Sequence, residues 1–177
     1  MISLSNYIDE SIFDVDKNIK KIDRSIRKSV GDYLKANYKG TFKISKEPNE
    51  DGKFEVTAER DAEVKNRDIE YLTNGSFVFT TVGRDFDCRY CVKLKSLIGA
   101  PREVNRIFNC NGCKSLTSLE GAPEKVGFDF VCTGCKSLMS LEGAPKKVGF
   151  DFICRNCGRE FSQDEVKSIC DVKSITC

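Results

Sequence analysis

Histidine and tryptophan are absent from the 177 residues, and proline occurs only four times. Without imidazole there is no Ser-His-Asp or Cys-His catalysis, no His-ligated zinc and no histidine pH switch. No run of about 18 apolar residues occurs, so no membrane-spanning helix is expected. A basic n-region followed by an apolar h-region is also missing at the N-terminus, so no secretory signal is expected. Neither sign of charge dominates: 29 basic and 27 acidic residues leave a net charge of +2. That balance gives no general electrostatic pull toward nucleic acid or an anionic membrane. There is no phosphate loop, no pair of carboxylates at a recognisable catalytic spacing and no activated nucleophile. These absences point to a non-enzymatic, cytoplasmic, single-domain protein without a cofactor.

What the chain does have is ten cysteines, eight of them periodic. Cys-x-x-Cys pairs begin at Cys88, Cys110, Cys132 and Cys154, each 22 residues after the last. The flanking sequence repeats with them. CNGCKSLTSLEGAPEKVGFDFV (110–131) is followed by CTGCKSLMSLEGAPKKVGFDFI (132–153), and CRYCVKLKSLIGAPREVNRIFN (88–109) is a diverged copy. A period in this range means one solenoid coil per repeat. Phe86, Phe108, Phe130 and Phe152 form one column, Leu94, Leu116 and Leu138 another, and Val82, Val104, Val126 and Val148 a third. Upstream, Val64 falls in register with the Phe column, Leu72 with the Leu column, and Asn66 and Ile69 with a cysteine pair.

Three readings of the cysteines compete. Two pairs separated by eighteen residues is a spacing used by four-cysteine zinc sites. A single Cys-x-x-Cys at a helix N-terminus would suggest redox catalysis, but four tandem copies lack that context. The third reading makes each cysteine a small apolar residue inside a narrow coil. Strand alternation favours this structural ladder, because Phe130 and Cys132 would face the same side. Neighbouring coils would then lie roughly 4.8 Å apart, a spacing that permits disulfides on oxidation. Free thiols are the expectation in a reducing cytosol.

The phase also matches Leu-x-x-Leu-x-Leu-x-x-(Asn or Cys), with Cys135 at the Asn/Cys position and Leu138 following. Over about 62–160 the chain therefore resembles the leucine-rich repeat family in a cysteine-bearing variant. Gly-Ala-Pro at 99–101, 121–123 and 143–145 departs from the common eukaryotic repeats. It resembles short bacterial and phage repeats, in which a proline turn replaces the convex helix. The resemblance implies an α+β chain built on a β-solenoid of about four to five coils.

A solenoid needs caps at its ends. Residues 15–37 predict an amphipathic helix, with Val15, Ile19, Ile22, Ile26, Val30, Tyr33 and Leu34 on one face and Lys17, Lys20, Lys21, Arg24, Arg27 and Lys28 opposite. Residues 41–58 read as a hairpin shielding the first coil. Ser162-Gln163-Asp164-Glu165 is a capping box, and Val166, Ile169 and Val172 predict a helix that keeps Cys170 and Cys177 near its apolar side. The expected organisation is thus a tag at 1–10, an N-terminal cap at 11–61, the solenoid at 62–160 and a capping helix at 161–177. The tag expectation rests on MISLSNYIDES, which resembles the N-terminal tags of internal head proteins in large tailed bacteriophages. Ile8-Asp9-Glu10 matches their cleavage sequence, implying a cut before Ser11. Together with the helix–hairpin segment and the cysteine-bearing repeats, this N-terminus makes most of the chain resemble repeat proteins of such phages.

Outward strand positions identify the candidate site. Ile107, Val131 and Ile153 would form an exposed apolar strip, with Asp129 and Asp151 as its charged rim. This pattern suggests a protein partner, bound by a monomeric module in a host cytoplasm or a virion. The alternative function is a zinc-binding protein, with four cysteines per ion, that contacts nucleic acid through the basic helix; chelation should unfold it.

Overall fold

The computed structural model describes residues 4–177, with side chains described from Lys17 onward. Residues 1–3 of the tag and every side chain before Lys17, those of Ile8, Asp9, Glu10 and Val15 among them, lie outside that description. The chain begins with helix α1 (Leu4–Asn37) and runs directly into β1 (Tyr38–Lys39). Next come β2 (Phe42–Ile44), β3 (Phe54–Ala58), β4 (Ala62–Val64) and β5 (Phe77–Val82). The repeats supply β6 (Phe86–Asp87), β7 (Glu103–Val104), β8 (Phe108–Asn109), β9 (Lys125–Val126) and β10 (Phe130–Val131). They are followed by β11 (Lys147–Ile153), helix α2 (Gln163–Ile169) and β12 (Asp171–Thr176).

These strands wind a β-solenoid of about five turns. Each repeat contributes two short strands, which stack on their counterparts in two parallel ladders. One ladder runs β4, β6, β8, β10 and the end of β11; the other runs β3, β5, β7, β9 and the start of β11. Residues at 22-residue spacing therefore sit opposite one another, such as Phe108 on Phe130 and Phe130 on Phe152. The ladders meet at a tight corner formed by Gly127 and Gly149. A Cβ on Gly149 would lie 2.0 Å from the Gly127 carbonyl oxygen, so only glycine lets the coils approach there.

Periodicity becomes packing inside the coils. Phe86, Phe108 and Phe130 are fully buried and stacked, with centroids 5.3 Å apart at each step and rings within 9° of parallel. The Leu94, Leu116 and Leu138 column and the Val82, Val104, Val126 and Val148 column complete the interior.

The first coil departs from the sequence register. Ala62, not Val64, pairs with Phe86, so Val64 occupies the next inward position and is buried. Ile69 is buried as expected, but Asn66 is exposed and its amide donates to Asn37 Oδ1 at 2.8 Å. Two additional residues in this coil carry Asn66 out of the interior.

Both N-terminal sheet edges are covered. β1 pairs antiparallel with β4, and β2 pairs antiparallel with β3. The expected hairpin is present, and its second strand is itself the first member of a ladder. Val30, Leu34 and Tyr38 are buried against the first coil. Tyr38 lies among Phe42, Phe79 and Phe86, Tyr33 lies against Phe77, and the Tyr38 hydroxyl donates to the Leu72 carbonyl at 2.6 Å. The apolar stripe is used only in its last turns: Ile19 and Ile22 are exposed. Helix α1 also begins well before residue 15.

At the other end the capping box forms as read. Ser162 Oγ accepts the Glu165 N–H at 3.2 Å, and Glu165 Oε2 accepts the Ser162 N–H at 2.8 Å. The expected helix over the whole end is corrected, because α2 stops at Ile169 and Asp171–Thr176 is a strand parallel to β11. Val172 therefore packs as a strand residue, and Cys177 forms a disulfide with Cys154.

The same cap carries a pH prediction. Hydrogen bonds from Arg159 and Ser162 hold the Glu165 carboxyl down at about 2 from an ordinary 4.5. A depressed folded pKa stabilises above the unfolded value and is lost as pH falls through the folded one. Denaturation midpoints of wild type and Glu165→Gln should differ above pH 4.5 and converge as pH approaches about 2. A gap of constant size across that window would count against the carboxylate's role.

Candidate functional site

The five predicted site residues lie together on the outer side of the β8, β10 and β11 ladder. Val131 pairs with Ile153 on one side and with Asn109 on the other, so the apolar column spans two coils, and Ile107 stands in the neighbouring column beneath Asp129. Its exposure is less than the sequence suggests. Ile107, Val131 and Ile153 are half-buried, because the side chains of neighbouring coils pack against one another.

The aspartates are not a free rim. Asp129 Oδ1 accepts the Asp151 N–H of the next coil at 3.0 Å. Asp85 Oδ1 accepts from Ile107 N–H at 3.1 Å and Asp61 Oδ1 from Asp85 N–H at 3.1 Å. These carboxylates take up backbone donors at the corner, where the ladder pairing is interrupted. Asp151 Oδ1, by contrast, is the one buried side-chain polar atom among the described residues without a hydrogen-bond partner.

The strongest exposed feature on this side was missed by the sequence reading. Phe128 and Phe150 project at the corner, 45% and 44% exposed, with centroids 5.0 Å apart and planes 4° from parallel. Arg84 and Arg106 occupy the same corner position two coils and one coil below Phe128, respectively. They pair instead with Asp61 at 3.8 Å and Asp85 at 3.9 Å. The signal in the sequence is Gly-Phe-Asp-Phe. The glycine turns the chain, so the first Phe points outward while the second points in.

The cysteines line the interior beneath this face. Cys88, Cys110, Cys132 and Cys154 form one column; Cys91, Cys113, Cys135 and Cys157 form the other. All are buried except Cys157, which is half-buried. The third residue of each Cys-x-x-Cys is left-handed, with φ near 70° at Gly112 and Gly134. Burial and the Cys113 side chain push the Cys88 thiol well up, and burial pushes Cys91 up to about 12. Hydrogen bonding from Cys132 brings Cys157 below the ordinary thiol value, against its partial burial. Cys157 and the Cys154–Cys177 disulfide border a cleft of about 600 Å³ that also contains Lys136, Arg155 and Arg159. Among the described residues no group of three or more Cys, Asp or Glu is arranged to hold a metal ion, and no helix is long and apolar enough to cross a membrane. Compared with protein-family models, curated proteins and solved structures, the chain matches none.

Proposed function

We propose that the chain is a non-enzymatic interaction module that binds a protein partner on the outer side of the β8, β10 and β11 ladder. The observation that carries this reading is the exposed, stacked Phe128–Phe150 pair beside the half-buried Val131 and Ile153. Large aromatic side chains held rigidly at a surface are typical anchors of protein interfaces. A flat solenoid side presents such anchors over several coils at once. Ile107 adds an apolar side chain one coil below, in the column of Asp129. Asp129 contributes mainly by holding the Asp151 N–H, and so the backbone that displays the strip. The phage resemblance makes a host protein or a virion component the class of partner to seek.

The test is affinity capture from the producing cell with wild type, Phe128→Ala/Phe150→Ala and Val131→Asp/Ile153→Asp, after circular dichroism has established that each variant is folded. Loss of anchors at this site should weaken a specific partner about thirtyfold, the equivalent of about 2 kcal/mol. Equal recovery of every partner by all three proteins would sink the proposal.

A further inference from the structure

The thiols of the two columns meet between coils. Cys113 Sγ lies 3.1 Å from the Cys88 carbonyl oxygen, Cys135 Sγ 3.2 Å from that of Cys110, and Cys157 Sγ 3.2 Å from that of Cys132. In each of these pairs the second-column thiol donates to the backbone carbonyl of the first-column cysteine one coil below. Every pair joins a first-column cysteine to the second-column cysteine of the next coil. The Cys154–Cys177 disulfide also ties a first-column cysteine to the strand stacked on it, but in register, since Ile153 pairs with Thr176, across a Cα separation of 4.6 Å.

We propose that the ladder is a set of inter-coil cross-links that closes on oxidation as Cys88–Cys113, Cys110–Cys135 and Cys132–Cys157, in series with Cys154–Cys177. Cys91 and Cys170 remain thiols. Cys91 has no partner because the coil beneath it contains no cysteine: Val64 and Asn66 occupy that part of the chain. Cys170 belongs to the cap and lies outside both columns. This proposal is independent of the strand-face reading.

Oxidation has an entry point at Cys157. It is the most accessible of the ladder thiols, its acidity is raised by Cys132, and Lys136, Arg155 and Arg159 line the adjoining cleft. Such a cleft suits an anionic low-molecular-weight disulfide. The Cys157 thiolate attacks one sulfur of that disulfide, forming a mixed disulfide and expelling one small thiolate. The Cys132 thiolate then attacks Cys157 Sγ, forming the protein disulfide and expelling the second. Both protein protons pass to the expelled thiolates, and the two electrons reduce the external disulfide to two thiols. The deeper pairs close by the same exchange while the coils are open during folding.

The test is refolding of the full chain in oxidised glutathione, alkylation of remaining thiols, and disulfide mapping of peptides by mass spectrometry. The expected map shows the four named links, with alkylation confined to Cys91 and Cys170. Links within a Cys-x-x-Cys pair, a Cys110–Cys132 link, or alkylation throughout the columns would overturn the proposal. Cys135→Ser supplies the second arm: it should add alkylation at Cys110 alone and leave the other links unchanged. Redistribution of the remaining links in that variant would also overturn it.

Discussion

Phe130→Ala is expected to cost about 3–5 kcal/mol of folding stability. Phe130 is fully buried, stacked on Phe108 at 5.3 Å and packed at a 32° tilt on Phe152 at 5.1 Å between centroids. Truncation leaves a cavity that the neighbouring coils cannot close, since their spacing is fixed by ladder hydrogen bonds on two sides. It also removes two ring–ring contacts from the interface through which coils stabilise one another. In a solenoid, stability is approximately a sum of coil and interface terms. The damage should therefore be local, and the coils C-terminal to residue 130 should open before those nearer α1. Urea denaturation followed by hydrogen exchange reads both the size and the place of the loss. Phe128→Ala is the internal control, because its exposed ring should change stability by no more than about 0.5 kcal/mol. Comparable costs for the two substitutions would contradict the assignment of inner and outer rings.

The second large effect concerns the C-terminal end. Reduction of Cys154–Cys177, or Cys177→Ser under oxidising conditions, is expected to lower stability by about 3 kcal/mol. The bond closes a 23-residue separation that includes α2 and β12. It pins β12 to the last coil where Ile153 and Thr176 are already in register. Without it, β12 is held by backbone pairing and by the cap residues Phe161 and Val166. Guanidinium midpoints of wild type and Cys177→Ser should differ in oxidising buffer and agree in excess reductant. A difference that persists in reductant would mean that Cys177 matters for a reason other than the disulfide.

The coils were legible because each interior column repeats one residue type every 22 positions, so Phe, Leu, Val and Cys each announce a layer. The hairpin and the capping box were legible from local chemistry. The last strand was not. β12 turns the corner between the two ladders, and its pairing with β11 shifts register between Val148 and Asp151. Its inward apolar residues, Val172 and Ile175, are therefore three apart. That spacing continues the Val166, Ile169, Val172 series and imitates a helix. The register of the first coil was hidden for a related reason: the two additional residues lie where no cysteine marks the phase. For the candidate site, alternation put Val131 and Ile153 on the outer side, where the structure leaves them half-buried. It hid Phe128 and Phe150, because alternation assumes a straight strand and Gly127 and Gly149 bend this one.

The aromatic cluster under α1 also determines what spectroscopy sees. All five tyrosines lie at or before residue 90, and there is no tryptophan. Tyr33 and Tyr38 are locked among Phe77, Phe79 and Phe86 at the N-terminal end. Tyrosine emission therefore reports the docking of α1 and the first coils, whereas the far coils carry only phenylalanine and sulfur and are nearly dark. Far-ultraviolet dichroism sums over both ends. In a molecule stabilised coil by coil, the two signals follow different parts of the same chain, and the separation between their transitions measures how far unfolding at one end runs ahead of the other.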